Sequence, residues 1–121
     1  MMVLLHGTTR HRAEQIIRYG PNPYFEEPGG RPGQDGFSMN LESGPFLFGG
    51  VEQYALGKAR QFPDEGGPAI IAVEVPDEIV RRAVSDWFPL GQGLVQFDLG
   101  AGLEELTTAW PGLGKEIRSV G

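Results

Sequence analysis

Apolar and polar residues follow one another in short stretches along this chain, with the spacings typical of strands and of helices. Residues 69–75 alternate between two faces and are rich in β-branched side chains, which favours a strand. A compact apolar run predicts a buried strand at residues 2–5. Shorter runs predict three more strands, at residues 36–39, 94–97 and 115–120. The chain is therefore expected to build its sheet from short strands.

Helical spacing predicts two helices with clear ends. The first helix follows the first strand, and either Thr8 or Thr9 can cap its start through a side-chain oxygen. Gly20 stands where a residue with left-handed backbone ends a helix. The second helix covers residues 51–62, and Pro63 ends it.

Two further segments have shorter helical patterns. Pro76 with the two carboxylates after it is typical of a helix start, and the apolar residues that follow predict a helix as far as Val84. Residues 103–110 predict either a short helix or a turn at a strand edge. Proline and glycine leave residues 21–35 and 41–50 as loops. Mixed strands with few helices indicate the α+β class.

The composition is that of one folded domain covering residues 1–121. The chain is 40% hydrophobic and 21% charged, so it can bury a core instead of remaining disordered. It contains 19 glycines and 10 prolines, which indicates that loops determine much of its shape.

The formal net charge of −6 argues against broad electrostatic binding to nucleic acid or to an anionic membrane. A local basic patch is still compatible with Arg10, His11, Arg12 and Arg18. Because the chain has no cysteine and only two histidines, we expect no disulfide and no bound metal. It shows no signal peptide and no apolar run of the roughly 20 residues that span a membrane. We therefore expect a cytoplasmic protein without a membrane partner.

His6 and Gly7 are the first residues with candidate chemistry. They directly follow the first apolar run, so the histidine is expected at the end of a strand, with a fixed backbone and an exposed ring edge. Such a ring can hold a ligand hydroxyl, and the glycine lets a flat ligand approach the main chain closely. Taken alone, the same residues also fit a core strand with an incidental histidine at its rim.

Four features in a fixed order carry a resemblance that covers residues 3–120. One strand leads into His6-Gly7-Thr8, and a second carries Gly36-Phe37-Ser38. A helix then carries Tyr54-Ala55, and Gly102-Leu103-Glu104-Glu105 follows the β-branched strand. This order resembles the ADP-ribosyltransferase family, in particular its His-Tyr-Glu branch, which includes diphtheria toxin and the poly(ADP-ribose) polymerases. The resemblance implies that family's architecture, two small packed β-sheets with a few short helices.

The resemblance also implies roles for single residues around NAD, the substrate of the family. His6 would hydrogen-bond a ribose hydroxyl, Gly7 would hold the nicotinamide amide with its backbone, and Thr8 would complete the motif and cap the helix. Tyr54 would stack on the nicotinamide ring. Glu104 would bind the ribose hydroxyl beside the reacting carbon, and its charge would stabilise the oxocarbenium-like transition state as nicotinamide leaves. His6, Tyr54 and Glu104 would thus be the catalytic set.

The second strand departs from the family pattern. The first aromatic residue of the family usually stands two residues after the glycine of this strand, where the present chain has Ser38. Phe37 precedes it and would face the other side of a regular strand. We place both residues with the cofactor-binding set, and either Phe46 or Phe48 could supply a second aromatic wall for the nicotinamide.

The catalytic carboxylate has two candidates. The spacing does not decide which of Glu104 and Glu105 faces the pocket. Glu74 and Glu116 also lie on predicted strands, and both are expected to face solvent. Two further polar residues end a predicted strand and could line a site, although no motif includes them: Gln96 and Asp98.

Three functions are compatible with these residues. The first is an enzyme that transfers ADP-ribose from NAD to a macromolecule or to water; the acidic charge favours a protein acceptor over nucleic acid, and the resemblance suits a bacterial effector or toxin. The second is an inactive module that binds a nucleotide or a protein partner, which Ser38 in place of an aromatic residue would favour. The third is a transferase that uses NAD to remove phosphate from RNA ends, but this chain has few of the basic residues such a pocket needs.

Overall fold

The computed structural model describes five stretches of the chain, residues 1–21, 36–42, 50–86, 93–98 and 100–120. The strands in them are β1 (Met2–Thr9), β2 (Gly36–Leu41), β3 (Pro68–Val75), β4 (Val84–Asp86), β5 (Leu94–Asp98) and β6 (Lys115–Ser119). The helices are α1 (Arg10–Tyr19), α2 (Gly50–Gln61), α3 (Asp77–Arg82) and α4 (Leu103–Ala109), and a 3-10 helix at Trp110–Gly112 follows α4.

The described strands form one six-stranded sheet in the order β4-β5-β2-β1-β3-β6, and every neighbouring pair is antiparallel. The expectation of two small packed sheets, drawn from the resemblance to the ADP-ribosyltransferase family, is therefore wrong. Alternation along a strand determines which side chains share a face, but it does not determine which strand lies alongside. Here β1 pairs with both β2 and β3, and this joins all the strands into a single sheet.

Helices pack on both faces of the sheet. Leu4 and Ile71 belong to the larger core cluster, together with residues of α1, α3 and α4. The neighbouring Leu5 and Ile70 belong to the smaller cluster, whose helical residues come from α2. Successive residues of a strand point to opposite faces. The sheet thus lies between α2 on one side and the other three helices on the other.

The first helix is confirmed with both of its ends. Thr9 is the N-cap, and its hydroxyl accepts a hydrogen bond from the backbone N–H of Arg12. Gly20 has φ +96°, a backbone conformation that favours glycine, and its N–H donates to the carbonyl of Ile16 at 2.8 Å. Of the two threonines that could cap this helix, Thr9 does so. The capping role implied for Thr8 is wrong.

Several boundaries differ from the predictions, and two of the differences alter the assignment of residues to elements. The strand expected at residues 2–5 continues to Thr9, because β1 keeps its pairing with β3 as far as that residue. His6 therefore lies inside the strand instead of at its end. The helix expected to reach Val84 ends at Arg82, and Val84 begins β4, which pairs with β5.

An ion pair between a buried arginine and a partly buried glutamate holds the turn between α2 and β3 against the start of α1. Arg12 is 2% exposed, and its Nε and Nη2 donate to the Glu65 carboxylate at 2.7 and 3.2 Å. The Thr9 hydroxyl donates to the same carboxylate at 2.7 Å, and the Phe62 ring lies 4.2 Å from the Arg12 guanidinium carbon. Arg12 is thus a core residue, and it cannot contribute to the surface basic patch considered above.

We expect Glu65→Gln to destabilise the protein by about 3 kcal/mol at pH 7, because it removes the carboxylate charge that pairs with the buried Arg12. Hydrogen bonding to Arg12 and to Thr9 lowers the pKa of the Glu65 carboxyl below its ordinary value. The stabilisation is therefore present above the unfolded-state pKa of about 4.3 and is lost as the pH falls through the lower folded-state pKa. Urea unfolding at several pH values measures both effects.

Glu14→Gln is the matched control. Glu14 pairs with Arg10 on the exposed side of α1 at 3.6 Å, so its loss should change the free energy of unfolding by less than about 0.5 kcal/mol. Equal losses for the two variants, or a difference that persists unchanged at low pH, would contradict the assignment of Glu65 as the partner that stabilises the fold.

Candidate functional site

The candidate site lies where β1 and β2 separate. The two strands pair at Leu4 with Leu41 and at Leu5 with Asn40. From His6 onward, β1 continues its pairing with β3 while β2 continues with β5. Two neighbouring strands of the same sheet thus stop pairing at this point, and we call the interval between their unpaired backbones the strand gap.

The His6 ring bridges the strand gap. Its Nδ1 lies 2.7 Å from the backbone carbonyl oxygen of Ser38. Since a carbonyl can only accept a hydrogen bond, Nδ1 carries the proton, and Nε2 of the neutral ring is an acceptor. The ring also stacks on Phe37, with centroids 4.4 Å apart and an interplanar angle of 24°. Both the tautomer and the orientation of His6 are therefore set by β2.

The second strand is regular, and its two candidate residues point to opposite faces. Phe37 pairs with Phe97 and Ser38 with Gln96, without a bulge. Phe37 packs against the larger core cluster and meets the edge of Trp110, whereas the Ser38 side chain is exposed. Phe37 thus faces away from Ser38 as predicted, and it contacts His6 because that ring lies on the same face. Phe46 and Phe48, the candidates for a second aromatic wall, lie outside the described residues.

Gly7 brings α2 into direct contact with β1. A Cβ atom at this position would lie 2.6 Å from the Val51 carbonyl oxygen and 3.3 Å from the Ala55 Cβ. Only glycine fits there without displacing the helix. Gly7 faces α2, so the neighbouring His6 points to the opposite face of the sheet. The glycine predicted for close approach of a ligand is used, in this structure, for close approach of a helix.

Tyr54 stands on the surface of α2. Its side chain is 57% exposed, and the Lys58 ammonium lies 5.9 Å from the centre of its ring. The buried side of the helix is formed by Val51 and Ala55 instead. Tyr54 is therefore available for a ligand ring, but its helix lies on the face of the sheet opposite to that of the His6 ring.

Both candidate glutamates have polar partners near α4. Glu104 is exposed, and its Oε1 accepts from the backbone N–H of Gly100 at 2.8 Å. Glu105 pairs with Arg82 at 3.4 Å, and its second carboxylate oxygen is buried. Both carboxylates thus make these contacts near the start of α4, and neither of the contacts is with a residue of the strand gap. Glu74 and Glu116 are exposed, as predicted.

Thr8 is fully buried beside this region. It lies on the same face of β1 as His6, two residues along the strand. Among the described residues its hydroxyl has no hydrogen-bond partner. The third residue of the His-Gly-Thr motif is therefore part of the core, and its side chain does not cap the helix start.

A polar chain on β2 and β5 joins Ser38, a cofactor-binding candidate, to Gln96 and Asp98, which could line a site but belong to no motif. The Ser38 hydroxyl donates to Oε1 of Gln96, and Nε2 of Gln96 donates to Oδ1 of Asp98 at 2.9 Å. The pairing of Ser38 with Gln96 places the first two side by side, and the spacing of two residues places Asp98 on the same face. Since the carbonyl of Ser38 also accepts from His6, this chain begins at the strand gap.

Comparisons with known proteins add no family to these observations. The chain matches no protein-family model, no curated protein and no solved structure. In the described stretches, no helix has the length and apolar content needed to cross a membrane. The same stretches contain no group of three or more potential metal ligands. The assignment of a function therefore depends on the geometry of the strand gap.

We expect Gly7→Ala to destabilise the protein by about 1–3 kcal/mol, because the added methyl group overlaps the backbone of α2. Gly57→Ala, which adds the same methyl group on α2, is the matched control. Nothing lies within 4 Å of a Cβ atom at Gly57, so this change should stabilise α2 by about 0.5–1 kcal/mol. Thermal unfolding of both variants measures the difference, and a neutral Gly7→Ala would show that α2 is not seated on β1.

Proposed function

We propose that this protein is a NAD-dependent ADP-ribosyltransferase of the cytoplasm that modifies a macromolecular acceptor, with protein preferred over nucleic acid. The bond between nicotinamide and C1′ of the ribose would break, nicotinamide would leave, and a nucleophile of the acceptor would bond to C1′ and release its proton. The observation that carries the proposal is the His6 ring, which β2 holds in one tautomer across the strand gap.

A histidine held in this way suits a ribose. Because Nδ1 donates to the Ser38 carbonyl, Nε2 of the neutral ring is the acceptor, which is the role that a ribose hydroxyl requires of this histidine. The hydrogen bond costs little to form, since the stacking on Phe37 has already ordered the ring. The ordered motifs of the sequence and this oriented ring support the same ligand, a nucleotide carrying a free ribose.

A binding module without turnover is the second candidate. It is favoured by the contacts of Glu104 with Gly100 and of Glu105 with Arg82, because a catalytic carboxylate must lie beside the reacting carbon. In such a module, His6 would still hold a ribose, but no negative charge would stabilise the departure of nicotinamide.

Release of nicotinamide from NAD separates the two candidates. We expect the wild-type protein to release nicotinamide and His6→Ala to lower kcat/KM by about tenfold, the effect of one hydrogen bond to the ligand. Glu104→Gln and Glu105→Gln, measured in parallel, show whether either carboxylate is needed. Stabilisation by NAD in a thermal shift assay without any release would favour the module, and the absence of both would reject NAD as the ligand.

Tyr54→Ala tests the aromatic contact that the resemblance implies. Because the ring is largely exposed, its removal should change the melting temperature by less than about 2 °C. If the ring stacks on nicotinamide, the affinity for NAD should fall by about tenfold. Tyr19→Ala is the matched control, since Tyr19 is 61% exposed and lies at the end of α1. Equal affinities for NAD in the two variants would remove Tyr54 from the site.

A further inference from the structure

The polar chain of Ser38, Gln96 and Asp98 has a fixed direction. A carboxylate can only accept hydrogen bonds, so the group of Gln96 that faces Asp98 is its amide nitrogen. The amide oxygen of Gln96 therefore faces Ser38 and accepts a hydrogen bond from the Ser38 hydroxyl. The charge of Asp98 thus determines the orientation of an amide and, through it, the direction of a hydroxyl proton one strand away.

The chain is held in place by backbone contacts at both ends. At one end, β2 and β5 pair at Ser38 and Gln96, and the Ser38 carbonyl also accepts from the His6 ring. At the other end, the N–H of Ala101 donates to the Asp98 carbonyl at 2.9 Å in the turn that leads towards α4. The main chain that carries the three side chains is thus fixed at both ends, and their orientation is set by their own hydrogen bonds, without a ligand.

We propose that Asp98 is a positioning residue that, through Gln96, makes the exposed Ser38 hydroxyl a hydrogen-bond acceptor for a ligand. The proton of Ser38 points to Gln96, so its oxygen presents lone pairs to solvent. The ligand groups selected by such an atom are those that donate, such as the hydroxyl of a sugar. A group that can only accept, such as an ether or a fluorine, would be rejected.

The choice of ligand for the test rests on the proposed function. The Ser38 hydroxyl and the His6 ring lie on opposite faces of β2, so a ribose that reaches both must lie in the strand gap, where the Ser38 carbonyl meets His6. A ribose carries two adjacent hydroxyls that can both donate. Under this proposal one of them donates to the Ser38 oxygen. The orientation of the chain itself does not depend on NAD and can be measured without it.

The first measurement is the NMR signal of the Gln96 side-chain amide in the ligand-free protein, assigned by its loss in Gln96→Ala. We expect one of the two amide protons to be shifted downfield by the Asp98 carboxylate and to lose that shift in Asp98→Asn. Asp64→Asn is the matched control, since Asp64 is exposed in the turn after α2. A Gln96 signal that is the same in wild type and Asp98→Asn would overturn the proposed orientation.

The second measurement compares NAD with two analogues in which fluorine replaces either the 2′- or the 3′-hydroxyl of the nicotinamide ribose. For wild type, we expect one analogue to bind about tenfold more weakly than NAD, the effect of one lost hydrogen bond. This difference should disappear in Asp98→Asn, whose neutral amide lets Gln96 and the Ser38 proton reverse. The difference between NAD and the analogue should also disappear in Ser38→Ala. Because the Ser38 side chain is exposed, we expect this variant to fold even if Asp98→Asn does not.

The outcomes separate the two proposals. If wild type binds NAD and the penalty for fluorine is equal in all variants, the role of Asp98 and Ser38 is overturned while the proposed function stands. If wild type does not bind NAD, the proposed function fails and the ribose is rejected as the ligand of Ser38. In that case the Gln96 signal alone decides whether Asp98 orients the chain.

Discussion

The divergence of β1 from β2 is the constraint on which the candidate site depends. A backbone in the middle of a sheet needs hydrogen-bonding partners on both sides, yet β2 stops pairing with β1 after Leu5. His6 compensates in part, because its ring donates to the Ser38 carbonyl across the gap. One side chain therefore replaces part of a missing ladder and, under the proposed function, also binds the ribose, so a change at His6 would affect the hydrogen bonding of the sheet as well as the ligand.

Local features of the fold were predictable because they depend on residues close in sequence. The end of α1 at Gly20 follows from a backbone conformation that favours glycine, and the start of the same helix follows from a threonine hydroxyl. The strand at Pro68–Val75 follows from its alternating β-branched residues. The arrangement of strands was not predictable in this way, because period-two alternation describes faces and not neighbours, and the expected second sheet does not form.

The polar contacts of the site were also not predictable from residues close in sequence. His6 could be selected from its place after an apolar run, but its partner on β2 lies 32 residues away and is a backbone atom that no motif marks. Ser38 and Gln96 are separated by 58 residues, and only the pairing of β2 with β5 brings them together. Among 10 basic and 16 acidic residues, nothing in the sequence identifies Arg12 and Glu65 as the buried pair.

The turn that is held by Arg12 also changes the electrostatics of α1. The start of a helix carries a partial positive charge and free N–H groups, and it commonly binds phosphate. Here the N–H of Arg10 donates to the Gly67 carbonyl, and that of His11 donates to the Glu65 carbonyl. The N–H of Arg12 donates to the Thr9 hydroxyl. The turn that contains Gly66 and Gly67 thus occupies the N-terminal N–H groups of α1, the helix that follows β1. The phosphates of a dinucleotide bound at the strand gap would therefore need other groups of the protein to balance their charge.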